Sequence, residues 1–212
     1  MKNSKQRGNS LEAAYRIRHQ EALTPIAEAL CQHITEIFKG EPRIDRITTR
    51  AKDPESFLKK ASTQVENRIK YSEPLSQIQD QIGARIITFY RSDVERLDAI
   101  VRRFFKPIEF RDRVPDSEWE FGYFGRHYVL ILPSDVKSDS IDKNKIPEFF
   151  ELQIKTLFQH AWSEADHDLG YKPGSIPLGP DEKRKLAYTS AQAWGADQIF
   201  DELFRARVPA GE

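Results

Sequence analysis

The segment from Glu151 to Thr156 carries the pattern best suited to chemistry in this chain. In an extended strand, Glu151, Gln153 and Lys155 lie on one face, and the apolar residues between them lie on the other. An acid, an amide and a cation are costly to bury on a strand unless they line a site. The pattern therefore predicts a nucleotide or metal site, and the plainer alternative is a strand-end carboxylate paired with Lys155.

The residues that follow change to helical spacing. His160, Glu164, His167 and Asp168 fall close to one side of that helix. The first three have a spacing compatible with zinc, but the order His-Glu-x-x-His of zinc proteases is absent. The pair His167-Asp168 also occurs in HD phosphohydrolases, which need further His and Asp ligands. With five histidines in the chain, we favour a nucleotide site over either metal site.

A second polar group surrounds the predicted start of a helix at Pro54. Arg50 and Lys52 precede this start, and Ser56 and Lys60 are four residues apart on one face of the helix. Cations and a hydroxyl that converge on a helix start suit a polyphosphate. The alternative is a basic edge exposed to solvent.

A third group, Asp80, Gly83 and Arg85, precedes and enters a strand that is apolar on both faces. A carboxylate near an arginine matches a magnesium ligand beside a phosphate clamp. The glycine suits a tight turn or the close approach of a ligand. A salt bridge between Asp80 and Arg85 is the alternative.

A fourth group is the aromatic loop that contains Tyr123. Gly122 and Gly125 flank its two central aromatic residues, and His127 follows at the start of a predicted strand. An exposed ring in such a loop can stack on a nucleobase. A hairpin that places the ring in the core is the alternative.

Helices and strands alternate along the chain. Strands are predicted at 43–52, 84–90, 108–113, 127–132 and 149–156. Helices are predicted at 9–39 with a kink at Pro25, from 54 to about 69, and at 93–105, 157–172 and 181–207. The order indicates an α/β (or α+β) fold in which helices cover a sheet. The predicted division is a helical extension at 1–40, a core at 41–175 and a C-terminal helix at 176–212.

The last helix carries a broad apolar face. Its members are Leu186, Ala193, Trp194, Ile199, Leu203 and Phe204. Packing of this face on its own domain is the simpler expectation, and a homo-oligomer formed through the terminal helices is the alternative.

Charge and composition narrow the class of protein. The 212 residues include 33 acidic and 33 basic side chains, so a net charge of zero gives no overall attraction to nucleic acid or membrane. Cys31 is the single cysteine, which excludes a disulfide framework within one chain. The N-terminus lacks the apolar core of a signal peptide, and no segment reaches the roughly 18–20 apolar residues of a membrane span. We expect a soluble, cytoplasmic protein.

In order and spacing, these groups resemble the synthetase domain of the RelA/SpoT alarmone synthetases over residues 43–172. The similarity is greatest to the small stand-alone members without a hydrolase domain. It is carried by Asp80-x-x-Gly83-x-Arg85, Gly122-Tyr123-x-x-x-His127, Glu151-x-Gln153-x-Lys155-Thr156 and Trp162-x-Glu164-x-x-His167. The resemblance implies a mixed β-sheet flanked by helices and related to nucleotidyltransferases. It also implies a Mg²⁺-dependent transfer of pyrophosphate from ATP to the 3′-hydroxyl of GDP or GTP, with release of AMP.

The same resemblance implies a role for each candidate residue. The residues implied to hold ATP are Arg50, Lys52, Ser56, Lys60 and Arg85. The residues implied to hold the acceptor are Tyr123, stacked on its base, His127 near its phosphates, Gln153 and Lys155. Asp80 would bind Mg²⁺, and Glu151 would deprotonate or orient the 3′-hydroxyl and also contact the metal.

Two departures from the family pattern concern the acceptor. The family loop usually reads Asn-Gly-Tyr-Arg-Ser, whereas this chain has Phe-Gly-Tyr-Phe-Gly at 121–125, and Lys155 replaces a more usual arginine. The acceptor therefore stays open between GDP or GTP, an adenosine nucleotide and the 3′ end of tRNA. A non-catalytic nucleotide-binding module is a third alternative, against which the intact Asp80 and Glu151 count.

Overall fold

Two helices joined by an irregular turn lead into the sheet. The computed structural model describes residues 2–112, 121–123, 125–171 and 177–207. Helix α1 (Lys2–Arg18) passes through a π-helical turn (His19–Leu23) into α2 (Thr24–Ile37). Pro25 has no N–H to donate to the preceding turn, and the hydroxyl of Thr24 donates to the carbonyl of His19 at 2.9 Å. The predicted irregularity at Pro25 is confirmed as this wider turn.

The remaining elements follow in chain order. They are β1 (Ile44–Ala51), α3 (Pro54–Ala61), β2 (Gln64–Val65), β3 (Arg68–Ile69), α4 (Pro74–Gln77), β4 (Ile82–Thr88), α5 (Arg91–Phe104), β5 (Pro107–Asp112), β6 (Arg126–Ile131), β7 (Phe149–Thr156), α6 (Leu157–Tyr171) and α7 (Pro180–Arg205). Short 3₁₀ turns occur at Ser134–Val136 and Lys143–Lys145. The five predicted strands are confirmed, with their described ends displaced by two residues or fewer. Residue 113, the predicted end of the strand at 108–113, lies outside the described residues.

The predicted helix from residue 54 to about residue 69 was wrong in its second half. Helix α3 ends at Ala61, and β2 and β3 then pair as a small antiparallel hairpin. Glu66 and Asn67, between the two strands, have φ values of 50° and 62°. Two consecutive residues with positive φ form the turn that a two-residue hairpin loop requires, and this local geometry replaces the helix.

The five long strands form one mixed sheet in the order β1-β4-β7-β6-β5. The neighbouring strands β4 and β7 are parallel, and the other neighbouring pairs are antiparallel. This arrangement confirms the predicted mixed sheet flanked by helices. Because β4 and β7 run in the same direction, the segments that precede them, which contain Asp80 and Glu148, lie at the same edge of the sheet.

The two faces of the sheet differ in chemistry. One face is apolar and packs against α2 and α5. Its buried strand residues include Ala84, Ile86, Tyr128, Leu130, Phe150, Leu152 and Ile154. The opposite face carries the polar residues of β7, and α6 folds back over the end where β7 finishes. In the described ranges, none of the helices combines the length and apolar composition of a membrane span.

Candidate active site

The register of the sheet brings polar residues of four strands into two neighbouring rows. In the first row, Arg50 of β1 pairs with Gly83 of β4, and Gly83 pairs with Glu151 of β7. The second row consists of Thr48, Arg85, Gln153 and His127. Because side chains alternate along each strand, both rows project from the same face. The polar face predicted for β7 is therefore continued across its neighbours.

A cleft of about 210 Å³ lies over these rows. Its lining residues are Thr48, Thr49, Arg50, Lys52, Asp80, Gly83, Ala84, Arg85, Glu151 and Gln153. Gly83 leaves a gap in the first row, because a Cβ placed on it would meet no heavy atom of the described residues within 4 Å. The missing side chain leaves the space between Arg50 and Glu151 open.

Asp80 is the centre of a cationic cluster at the edge of the cleft. Its Oδ2 accepts from Nζ of Lys60 at 2.8 Å and from Nζ of Lys52 at 3.1 Å. Its Oδ1 is buried and has no hydrogen-bond partner among the described residues. The alternative of an Asp80–Arg85 salt bridge is therefore wrong. The Asp80 carboxylate is held by the two lysines predicted to bind phosphate, with one oxygen left for another ligand.

The N-terminal helix fixes the segment that carries these lysines. The ring of Tyr15 stacks on Phe57 of α3 with centroids 3.6 Å apart, and its hydroxyl donates to the carbonyl of Lys52 at 2.8 Å. Asp53 caps α3 by accepting from the backbone N–H of Ser56 at 3.0 Å. Ser56 is exposed and lies one turn before Lys60 on the same helix. Tyr15 of α1 thus supports the segment that carries the lysines and is not among the described residues that line the cleft.

Two neighbours hold the carboxylate of Glu151. Nδ1 of His127 lies 3.0 Å from Oε1, and the amide of Gln153 donates to Oε2 at 2.9 Å. An ionised carboxylate can only accept, so Nδ1 carries the hydrogen of the first contact. Nε2 of His127 and Oε1 of Gln153 are buried without hydrogen-bond partners in the described part of the chain. Buried polar atoms normally have partners, so these two are available to a ligand.

Arg85 joins the sheet to α6. Its guanidinium donates to Oε1 of Glu164 at 2.6 Å and lies 3.2 Å from Nδ1 of His160. Burial, reinforced by the charge of Arg85, lowers the pKa of His160. Burial alone would raise the pKa of Glu164, but the hydrogen bond and charge of Arg85 hold it below its usual value. A neutral imidazole facing a guanidinium acts as an acceptor, so the polar side of α6 supports Arg85.

The transition-metal alternative for α6 is not supported. In the part of the chain that the structure describes, no three His, Cys, Asp or Glu side chains come together as metal ligands. Magnesium requires fewer protein ligands, because it keeps several waters and is bound through one or two carboxylates together with substrate phosphates. Asp80, which has one unpartnered carboxylate oxygen among the described residues, and Glu151 line the same cleft. The residues present therefore fit Mg²⁺.

Two of the predicted acceptor residues are buried away from the cleft. Tyr123 is 7% exposed, and its hydroxyl donates to Oδ2 of Asp197 on α7. Lys155 is 4% exposed, and its ammonium donates to the hydroxyl of Ser163 on α6 at 2.8 Å. The stacking role of Tyr123 stays a prediction, and in this conformation the ring faces the protein interior.

Sequence reasoning missed the contribution of α7 to this region. The apolar face predicted for α7 leaves Trp194, Ile199 and Leu203 exposed. The helix buries polar residues in their place, namely Ser190, Asp197 and Asp201. Their spacings of seven and four residues place them on one side of a helix, and this polar stripe was the signal available in the sequence.

Comparisons with known proteins identify the family of this chain. The region found in RelA / SpoT proteins matches residues 49–175, which is more than half of the chain. The GTP pyrophosphokinase YjbM of Bacillus subtilis (strain 168) is 30% identical over 170 residues, which cover 77% of this chain and 72% of the relative.

Solved structures share the fold. The small alarmone synthetase 1 from Bacillus subtilis superposes with a TM-score of 0.70 at 24% identity, over 92% of this chain and 96% of that one. A GTP pyrophosphokinase family protein from Streptococcus pneumoniae superposes with a TM-score of 0.67 at 25% identity, over 84% of this chain and 86% of that one. The match of residues 49–175 and the 30% identical relative show that the chain belongs to the RelA/SpoT synthetase-domain family, and these solved structures share its fold.

Proposed function

We propose that this protein is a pyrophosphokinase that transfers the β,γ-pyrophosphate of ATP to the 3′-hydroxyl of GDP or GTP. The 3′-oxygen forms a bond to the β-phosphorus, the bond from the β-phosphorus to the α,β-bridging oxygen breaks, and AMP leaves. The observation that carries the proposal is one cleft lined by Glu151, Asp80 and Lys52, with Lys60 bound to Asp80. We call the part of the cleft around Asp80 the donor end and the part around Glu151 the acceptor end.

The donor end supplies positive charge for a triphosphate. Lys52, Lys60 and Arg50 surround the Asp80 edge of the cleft, and Ser56 lies on the same helix as Lys60. Arg85 lies in the next row of the sheet. Phosphoryl-type transfer depends mainly on positioning and on neutralising charge at the phosphate oxygens, and these side chains are suited to both tasks.

Asp80 and Glu151 are the residues that would hold Mg²⁺. When bound, the ion would neutralise phosphate oxygens of the donor. The two lysines keep the Asp80 carboxylate in place at the cleft edge. His127 and Gln153 do the same for Glu151.

The acceptor end supplies the base. Glu151 accepts or orients the proton of the 3′-hydroxyl, a role that contributes about 10²–10⁴ in rate. Its two donors fix the orientation of the carboxylate, and their unpartnered atoms would contact the acceptor. Tyr123 would stack on the acceptor base, and Lys155 would support the site from the end of β7.

The named relatives support this choice of substrates. The structure of small alarmone synthetase 1 from Bacillus subtilis has been solved bound to its product pppGpp and bound to AMPCPP. YjbM is named a GTP pyrophosphokinase. We infer the same substrate class here from the family and from the cleft.

An acceptor panel tests the proposal. The purified protein is incubated with Mg²⁺ and ATP labelled in the β-phosphate, together with GDP, GTP, AMP or tRNA. We expect AMP release that depends on GDP or GTP, with the label transferred to the guanine nucleotide. Transfer only to tRNA or to AMP would contradict a guanine nucleotide as the acceptor. The absence of AMP release with every acceptor would contradict the proposal that the protein is a catalyst.

Filling the floor of the cleft should block this reaction without unfolding the protein. Gly83→Leu places a side chain in the open space between Arg50 and Glu151. We expect turnover to fall at least tenfold and the thermal midpoint to change by no more than about 4 °C, which is roughly 1 kcal/mol for a chain of this size. Gly195→Leu on α7 is the control, because a Cβ there also meets no described heavy atom within 4 Å. Equal turnover in the two variants would contradict the proposal that the reaction takes place in this cleft.

A further inference from the structure

Tyr123 and helix α7 are joined by a buried network of hydrogen bonds. The hydroxyls of Tyr123 and Thr156 both donate to Oδ2 of Asp197. Asp197 is 0% exposed, and its Oδ1 has no hydrogen-bond partner in the described part of the chain. Asp197 lies outside residues 49–175, the range that matches the family region. A helix outside the matched region therefore holds Tyr123.

The network depends on both hydroxyls. Burial raises the pKa of Asp197, which reflects the cost of keeping a carboxylate away from water. A hydrogen bond to a charged group is stronger than one between neutral groups, so loss of the Tyr123 hydroxyl would leave Asp197 less well satisfied. The Asp197 contact therefore stabilises the inward position of the Tyr123 ring.

Gly125, two residues after Tyr123, lies close to β7. A Cβ on Gly125 would lie 2.4 Å from the carbonyl oxygen of Ile154 and from Cγ of Lys155. This close approach of the backbone to β7 requires glycine and ties the loop to the sheet. Movement of the Tyr123 ring toward a ligand would break its hydrogen bond to Asp197.

We propose that Asp197 is a positioning residue that holds Tyr123 in a retracted position, so that acceptor binding competes with the Tyr123–Asp197 hydrogen bond. This inference rests on the proposed function, in which the ring of Tyr123 stacks on the acceptor base. If only a fraction of molecules has the ring released, the apparent acceptor affinity is the intrinsic affinity multiplied by that fraction. Removing the bond should then tighten acceptor binding and leave ATP binding unchanged.

Two variants remove the bond from opposite sides. Tyr123→Phe keeps the aromatic ring and loses the hydroxyl, whereas Asp197→Ala loses the carboxylate. We expect each to lower the KM for GDP about five- to tenfold, with the KM for ATP changed less than twofold. The double variant should show no further fall, because both changes break the same bond. Tyr123→Phe keeps the test available if Asp197→Ala fails to fold.

Asp201→Ala is the matched control on the same helix. Asp201 accepts from the backbone N–H and hydroxyl of Ser92 and does not contact Tyr123 through any described hydrogen bond. We expect this variant to lower the thermal midpoint with the KM for GDP unchanged. An equal fall in KM for GDP in Asp201→Ala would overturn the proposal, since it would show a general loosening of α7.

Nitration of Tyr123 by tetranitromethane, located by mass spectrometry, measures the position of the ring without reference to turnover. We expect slow nitration in the unmodified protein, an increase of about tenfold in Asp197→Ala and no increase in Asp201→Ala. Unchanged nitration in Asp197→Ala would overturn the anchoring role. If nitration rises while no acceptor supports AMP release, Asp197 anchors Tyr123 but the proposed function fails. If the enzyme is active and the KM for GDP does not fall in the two variants, acceptor binding does not compete with the Tyr123–Asp197 hydrogen bond and the proposal is wrong.

Discussion

Glu151→Gln is expected to lower the rate of acceptor-dependent AMP release by about 10²–10⁴, the usual contribution of a general base. The substitution keeps the size of the side chain and removes its charge. His127 and Gln153 both donate to the carboxylate, and the new amide has only one oxygen to receive them. We therefore expect the base to be lost and the thermal midpoint to fall by no more than about 4 °C. Initial rates at saturating ATP and GDP, with thermal unfolding, measure both effects.

Glu148→Gln is the matched control for this variant. Glu148 is an exposed carboxylate immediately before β7 and lies outside the lining of the cleft. Its turnover should stay within twofold of that of the unmodified protein. Retention of more than a tenth of the turnover in Glu151→Gln would contradict a role as base, and the carboxylate would then serve only to orient its neighbours.

The sequence predicted the elements of the sheet because their patterns are local. Glu151, Gln153 and Lys155 alternate with apolar residues. Such an alternating pattern predicts both where a strand begins and ends and which residues lie on each face. Apart from Arg85, the run at 84–90 is apolar on both faces, as expected of a strand covered on both sides, and β4 is one of the three interior strands of the five-stranded sheet. The β2–β3 hairpin was missed because positive φ at Glu66 and Asn67 leaves no mark in hydrophobic periodicity.

The grouping of site residues could be predicted only in part. The resemblance assigned Lys52, Lys60 and Asp80 to one site, but it did not indicate that the two lysines share one oxygen of Asp80. Such contacts depend on how the loop after β1 and the segment before β4 are brought together by strand pairing. The same limit applies to Asp197, which is remote in sequence from Tyr123 and meets it through the packing of α7.

Asp80→Asn is expected to reduce turnover by at least about 10², because one substitution removes two functions. The cleft loses a carboxylate oxygen that has no partner among the described residues and fits a cation. The ammonium groups of Lys52 and Lys60 lose their shared counter-charge. Both lysines are partly exposed, so solvent screens their repulsion and the loss of stability should be about 1 kcal/mol or less. AMP release measured over a range of Mg²⁺ concentrations should show a raised requirement for the ion.

A double variant separates the two functions of Asp80. Asp80→Asn combined with Lys60→Gln restores the local charge balance without restoring the carboxylate. Because Lys60 is itself proposed to hold the donor phosphates, Lys60→Gln alone is the reference for the double variant. If Asp80 binds the ion, the double variant should be far less active than Lys60→Gln and as inactive as Asp80→Asn, and Asp139→Asn, in an exposed loop, should keep full turnover. Recovery of turnover in the double variant would instead assign Asp80 a role as counter-charge alone. Glu151 would then be the remaining carboxylate of the pair proposed to bind the ion, and the donor phosphates would have to supply more of its ligands.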